Sequence, residues 1–163
     1  MGTKYNGITG VAEWMGQPYE NRFKDAQLKY LTFERESMYE ILEMKKNGNT
    51  LIDTTGSFVH LENSAYEELK KNSLIVYIKA SEEMKEEMFE KYIRHPKPVI
   101  WADFYKKIYE ESNEDALKRC YFDLMKFRTE KYEQYADVTI NYDQITDDKV
   151  DAHRFLELIK NEL

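Results

Sequence analysis

The sequence contains few of the residues that mark secreted, metal-binding or nucleic-acid-binding proteins. Cys120 is the only cysteine, so an internal disulfide is impossible, and we expect a reducing compartment and a cytoplasmic location. Three histidines (His60, His95 and His153) are scattered without the spacing of zinc ligands. The net charge of −7 leaves no basic stripe for a phosphate backbone, so no nucleic-acid partner is expected.

Long apolar runs are also missing. No stretch approaches the roughly 20 residues that cross a bilayer, and the N-terminus lacks the pattern of a signal peptide, so no membrane partner is expected. The remaining composition is that of a globular protein. Its 163 residues are enough for one domain with a real core, and we treat 1–163 as that single domain.

The stretch on which the interpretation depends is residues 51–57 (LIDTTGS). Two apolar residues that suit a buried strand run into a turn of small, hydroxyl-bearing residues, and a helix start follows at Asn63. In open α/β sheets the ligand lies just beyond the carboxyl end of such a strand. Thr55 and Ser57 could therefore offer hydroxyls to a ligand, and Gly56 could allow close approach. A plain strand-to-helix turn is the alternative.

Apolar spacing and end signals predict alternating helices and strands. Helices are predicted over residues 9–16, 18–46, 63–71, 82–94, 113–135 and 147–162, with strands near 50–55, 74–79 and 137–141. This alternation predicts an α/β fold in three layers, a sheet of parallel strands with helices on both faces. Residues 96–112 lack clear periodicity, which is typical of a functional loop or lid.

In their order and spacing these pieces resemble the shikimate kinases and their close P-loop kinase relatives. Residues 52–59 (IDTTGSFV) resemble the family's strand that ends in three substrate-contacting glycines. Residues 128–137 (RTEKYEQYAD) resemble its substrate-binding arginine, the tyrosine that follows and the next strand start, and residues 96–112 fall at its lid. The resemblance implies a nucleotide-binding kinase that uses ATP and Mg²⁺ to phosphorylate a small hydroxylated metabolite.

The resemblance has one large gap. No G-x-x-x-x-G-K-[ST] loop, which cradles the phosphates in P-loop kinases, occurs anywhere in the chain. We therefore expect the chain as given to be inactive alone. The family's first strand and its phosphate loop would lie upstream of Met1, so we also expect a preceding segment or a partner chain to complete the sheet, unless the sheet closes differently.

The resemblance also assigns candidate site residues, although no catalytic residue is among them. Those implied to hold the small-molecule acceptor are Thr55, Gly56, Ser57, Arg128 and Arg35. Those implied for the lid and the nucleotide side are Lys97, Trp101, Lys106 and Lys107, with Asp53 as a candidate on the metal side. Ordinary structural roles stay open for all of them: surface ion pairs for the arginines, loop packing for the lid residues and a hydrogen-bonded carboxylate for Asp53.

Two functions are therefore expected as alternatives. The first is part of an ATP-dependent phosphotransferase, in which Arg128 and Arg35 hold an anionic group of the acceptor and the lid excludes water. The second is a non-catalytic kinase-like remnant that keeps the acceptor pocket as a binding module for a small molecule or a protein.

Overall fold

The computed structural model describes residues 6–44, 50–95, 97–146 and 150–163. These residues form six α-helices and two β-strands. In chain order they are α1 (Gly7–Met15), α2 (Phe23–Glu43), α3 (Asn63–Asn72), β1 (Val76–Lys79), α4 (Glu82–Arg94), α5 (Asn113–Tyr135), β2 (Val138–Asn141) and α6 (Ala152–Asn161). Single turns of 3-10 helix lie at Phe58–His60 and Tyr142–Gln144.

The predicted three-layer parallel sheet is wrong. The described residues are mostly helical, and their only sheet is the parallel pair of β1 and β2. The register runs from Val76 opposite Val138 to Lys79 opposite Asn141. The crossover between these two parallel strands contains α4 and α5, as parallel pairing requires. Two of the three predicted strands therefore form, each shorter than predicted.

The missing strand is the one predicted at residues 50–55. This segment has no regular secondary structure, and the side chain of Leu51 is 84% exposed. A strand is stabilised by the partner strand that satisfies its backbone groups, and the described part of the chain pairs none with this segment. Two adjacent apolar residues were therefore too weak a signal for a buried strand.

The helices agree better with the sequence because their end signals are local. The prediction for α5 is confirmed at both ends, and Ser112 Oγ caps it by accepting a hydrogen bond from Asp115 N at 3.0 Å. The predicted cap of α4 is also confirmed, since Ser81 Oγ accepts from Met84 N at 3.3 Å. Such caps act within one turn of the helix, so the sequence shows them directly.

Two predicted helix starts are wrong by five residues each, and α1 begins two residues earlier than predicted. The second helix was predicted from residue 18 but begins at Phe23. The last was predicted from residue 147 but begins at Ala152, where Asp151 Oδ1 accepts from Arg154 N at 2.8 Å and supplies the N-cap. The predicted end of the second helix near residue 46, its glycine stop at Gly48, and residues 1–5, 96 and 147–149 lie outside the described residues.

Three apolar clusters form the core. The first joins α1, α2, α4 and α5 around Trp101, and the second joins α2 to α3 through Met38, Phe58 and Leu69. The third, smaller cluster packs α6 against β2. Helices α2 and α5 both contribute side chains to the first and second clusters, and each also contacts the segment that contains residues 54–57, through Glu34 and Tyr132.

Candidate functional site

A glutamate on α2 fixes the turn at residues 54–57, which we call the polar turn. Thr55 Oγ1 donates a short hydrogen bond to one carboxylate oxygen of Glu34, and Ser57 Oγ donates to the other at 2.7 Å. The two hydroxyl oxygens themselves lie 2.6 Å apart. Phe58 N donates to Thr55 O at 3.1 Å and closes the turn. Both oxygens of Glu34 are therefore occupied by hydroxyls of the turn.

On the other side of the polar turn lies Arg128, from α5. A Cβ atom on Gly56 would lie 3.1 Å from Arg128 Nη1 and 3.4 Å from the Tyr132 hydroxyl, so glycine permits the close approach. Tyr132 Oη donates to Gly56 O at 2.9 Å. Arg128 Nη2 donates to Ile100 O at 3.0 Å, which ties the guanidinium to the segment after residue 97. Arg128 and residues 55–57 were assigned to one site from the sequence, and the structure places Arg128 beside Gly56.

The remaining donors of Arg128 are uncommitted. Its Nε is buried and has no hydrogen-bond partner in the part of the chain that the structure describes. Within the described residues Nη1 makes no hydrogen bond and the guanidinium forms no ion pair with a carboxylate. A buried arginine is normally paired, because an isolated charge is costly to remove from water. The uncommitted donors are therefore the feature of this cluster that most needs an explanation.

Burial and charge act in opposite directions on the acids around Arg128. Burial raises the pKa of Glu34, while the hydrogen bonds from Thr55 and Ser57 and the charge of Arg128 act to lower it. Burial likewise raises the pKa of the Tyr30 hydroxyl, against a lowering contribution from Arg128. The positive charge of Arg128 therefore favours the ionised form of both groups.

A histidine in the same region is held neutral. Burial, with a smaller contribution from the positive charge of Arg128, lowers the pKa of His60 to about 4. Its Nε2 is buried and finds no hydrogen-bond partner among the described residues, and the centre of its ring lies 5.4 Å from that of Phe127. At neutral pH the ring is therefore uncharged and does not compete with Arg128 for an anion.

Next to Glu34 opens a cavity of about 700 Å³, which we call the apolar pocket. It lies between α1, α2, the segment that leads into the polar turn, and Lys97–Pro98. Its walls are mainly apolar, from residues that include Val11, Phe33, Met38, Ile41, Phe58 and Leu69. Its polar groups include Tyr30, Glu34, Asp53, Thr55 and Lys97. The volume lies in the range of sites that bind small molecules.

The other predicted site residues are spread over the molecule. Arg35 pairs with Glu62 on the surface, with 3.6 Å from Nη1 to Oε1. Lys97 lines the apolar pocket, as does Asp53. No group of three or more His, Cys, Asp or Glu side chains that could hold a metal ion occurs among the described residues.

The residues predicted for a lid lie in different environments. Trp101 is only 1% exposed and belongs to the first core cluster. The backbone of Lys106 is held by α5, because its carbonyl accepts from Arg119 Nη2 at 2.6 Å. Lys107 Nζ donates to Asn113 Oδ1 at 3.0 Å. Of the four lid candidates, only Lys97 therefore lines the apolar pocket.

Glu34 was not among the site residues predicted from the sequence. It lies four residues after Tyr30 and four before Met38, so all three share one face of α2. A carboxylate within an apolar helical stripe is a signal for a buried functional group, and that signal could have identified Glu34. The Ile100 carbonyl and the Tyr132 hydroxyl gave no comparable signal, because they reach the site through tertiary packing.

Comparisons of the chain with protein-family models, curated proteins and solved structures found no match. The resemblance to shikimate kinases therefore rests only on the residues quoted from the sequence. Among the described residues, no helix combines the length and the apolar character needed to cross a membrane.

Proposed function

We propose that the chain binds a small hydroxylated acid at the polar turn, where Thr55 lines the apolar pocket and Gly56 lies against Arg128. The observation that carries this proposal is Arg128 Nη1, which lies beside Gly56 and has no hydrogen-bond partner among the described residues. An acid group on a ligand would supply the missing acceptor. A guanidinium suits this role because its planar fork matches a carboxylate or phosphate and its charge is permanent.

The polar turn supports the hydroxyl part of the proposal. Thr55 and Ser57 present two hydroxyls next to Gly56, where Arg128 approaches the backbone. A hydroxyl both donates and accepts, so these groups can rotate from Glu34 toward a ligand hydroxyl. Glu34 can then accept a hydrogen bond from the ligand in place of one from the turn.

The phosphotransferase stays a prediction beside this proposal. A kinase would need the phosphate-binding loop that the sequence lacks, together with ATP and Mg²⁺. The binding module, the other function expected from the sequence, requires only the pocket and Arg128. Binding of the acceptor is common to both functions and is the part that the geometry supports. A cytoplasmic location is proposed on the ground that the chain has a single, buried cysteine.

The test compares an Arg128→Lys variant with the wild-type protein. Binding of shikimate, mandelate, gluconate and 3-hydroxydecanoate would be measured by ligand-observed NMR and then by calorimetry. We expect at least one of these hydroxy acids to bind, and Arg128→Lys to weaken it by roughly 1.5–3 kcal/mol, the range for hydrogen bonds to charged groups.

The matched control is Arg119→Lys on the same helix. Arg119 is paired with Glu111, with 2.8 Å between Nη2 and Oε2, and it also donates to the carbonyl of Lys106 rather than contacting the polar turn. Its replacement should leave hydroxy-acid binding unchanged. Urea unfolding of both variants separates lost binding from lost folding. Equal affinities of wild-type and Arg128→Lys proteins would refute the proposal, as would the absence of binding by all four acids.

A further inference from the structure

The charged side chains that line the apolar pocket are unequal in sign. Glu34 and Asp53 contribute two carboxylates, and Lys97 contributes one ammonium group. Among the residues that the structure describes, neither carboxylate forms an ion pair. Arg128 acts on Glu34 electrostatically, but its guanidinium is not part of the cavity lining. The described lining therefore presents a surplus of negative charge to a ligand.

Glu34 can accept further hydrogen bonds besides those from the polar turn. A carboxylate offers about four acceptor positions on its two oxygens, and Thr55 and Ser57 each donate to one of these oxygens. Burial raises the pKa of Glu34, because a carboxylate with little water around it is poorly stabilised in its charged form. A cation beside it would stabilise that form through charge-assisted hydrogen bonds. Glu34 therefore suits a positively charged donor better than an acid.

The other walls suit a cation that carries a hydrocarbon body. Three aromatic side chains line the cavity, Tyr30, Phe33 and Phe58, and the faces of aromatic rings attract cations. Aliphatic walls come from Val11 on α1 and Ile41 on α2. Burying hydrocarbon against such walls is favourable, and the cavity of about 700 Å³ has room for it. A short ammonium ion would leave most of these walls uncovered.

We infer that the apolar pocket binds an amphipathic amine, with its ammonium group at Glu34 and Asp53 and its hydrocarbon body along α2. This inference goes beyond the proposed function, because it concerns a second class of ligand and makes no use of Arg128. A simple acid with the same hydrocarbon body should bind the cavity weakly, because its carboxylate would face those of Glu34 and Asp53.

The first test separates charge from hydrocarbon with three ligands. Nonylammonium carries both features. Octanoate, with the same number of heavy atoms, keeps a hydrocarbon chain and reverses the charge, and propylammonium keeps the charge without the long chain. Because the net charge of −7 attracts any cation, propylammonium measures binding by charge alone. Calorimetry with the full chain at neutral pH, below the micelle concentration of nonylammonium, should show that nonylammonium binds at least about tenfold more tightly than either.

Three substitutions test whether the ammonium group lies in the cavity. Glu34→Gln keeps the size of the side chain and removes its charge, so it should weaken nonylammonium binding by about threefold to tenfold. Asp53→Asn should weaken it by less, because this side chain is exposed. Lys97→Gln removes the one positive charge of the described lining and should strengthen binding by about twofold to threefold.

Glu36→Gln is the matched control, because it removes the same charge from the same helix. Residues two positions apart do not share a face of a helix, and Glu36 is exposed. Its replacement should therefore leave the affinity for nonylammonium within about twofold of the wild-type value. Urea unfolding of Glu34→Gln separates lost binding from lost folding. Asp53 and Lys97 are exposed, so their variants should fold and test the inference independently of Glu34→Gln.

The outcomes that would overturn the inference are specific. Equal or tighter binding of octanoate would do so, as would the absence of nonylammonium binding. Equal effects of Glu34→Gln and Glu36→Gln, with no change in Asp53→Asn and Lys97→Gln, would show that the amine binds elsewhere. None of these results bears on the proposed function, which concerns hydroxy acids at Arg128. Failure of the hydroxy acids to bind would in turn leave the amine site standing.

Discussion

Residues 50–57 and residues 97–105 both lack regular secondary structure, yet the protein holds them in opposite ways. In the first segment Leu51 is 84% exposed. In the second, Ile100 and Trp101 are 0% and 1% exposed and lie in the largest core cluster. Irregular backbone is therefore compatible with either a core or a surface position, and the side chains decide which.

The contacts of the two segments explain the difference. Residues 97–105 are anchored through the backbone, because Ala102 N donates to Gln27 Oε1 at 3.0 Å and Ile100 O accepts from Arg128. The backbone at Ala102 even adopts a φ of 47°, which a residue other than glycine rarely does. Residues 50–57 are instead held at one end, by the hydroxyls of the polar turn on Glu34. Residues 97–105 are therefore fixed by packing and by backbone hydrogen bonds, and residues 50–57 by polar side chains at one end.

The largest loss of stability is expected from a substitution at Trp101. Truncating a buried aromatic side chain removes its burial energy and leaves a cavity, so Trp101→Ala should lower the free energy of unfolding by about 3–5 kcal/mol. Urea denaturation followed by circular dichroism would measure it. Trp14, a half-buried residue of α1, is the matched control, and Trp14→Ala should lower the free energy of unfolding by less. A loss below about 1 kcal/mol for Trp101→Ala would contradict its place in the core.

The burial of Trp101 shows why the sequence misled on this segment. Lack of periodicity predicts irregular structure, and residues 97–105 are irregular. Their burial depends on α4 and α5, which are distant in sequence and leave no local pattern. The same reasoning applies to the strand predicted at 50–55, since strand pairing is non-local. The helix caps at Ser81 and Ser112 are local contacts, and the ends that they mark agree with the structure.

The candidate site likewise contains some residues that the sequence could predict and others that it could not. The sequence could place Arg128 with the polar turn only through the order and spacing of the kinase-like pieces. Glu34 could have been predicted as a site residue, because its carboxylate lies within the apolar stripe of α2. The hydrogen bond from Arg128 to Ile100 O could not be predicted, because a backbone carbonyl has no sequence signature.

A loss of stability of intermediate size is expected when His60, which follows the polar turn, is protonated at low pH. Its pKa is lowered to about 4 mainly by burial. The folded state therefore binds the proton less tightly than the unfolded state, and stability is lost as the pH falls from about 6.5 toward about 4. We expect a loss of about 1–2 kcal/mol over this window, reduced because solvent reaches part of the ring.

Urea unfolding of wild-type and His60→Phe proteins across this pH range would measure the effect. The phenyl ring can keep the contact with Phe127, and the difference between the two profiles isolates His60 from Glu34, whose raised pKa acts in the opposite sense. His153→Phe on α6 is the matched control, because that side chain is 82% exposed. Parallel profiles for the wild-type and His60→Phe proteins would show that the segment after the polar turn is not held by a neutral histidine.

The smallest effect is expected at Leu51. Because this side chain is 84% exposed, Leu51→Ser should change the free energy of unfolding by less than about 0.5 kcal/mol. Ile52→Ser is the informative comparison, since Ile52 is half-buried and lines the apolar pocket, and it should cost more. Both values would come from urea denaturation under the same conditions. A loss above about 1 kcal/mol for Leu51→Ser would mean that residues 50–57 bury Leu51, which would remove the contrast with residues 97–105 and restore the case for a paired strand.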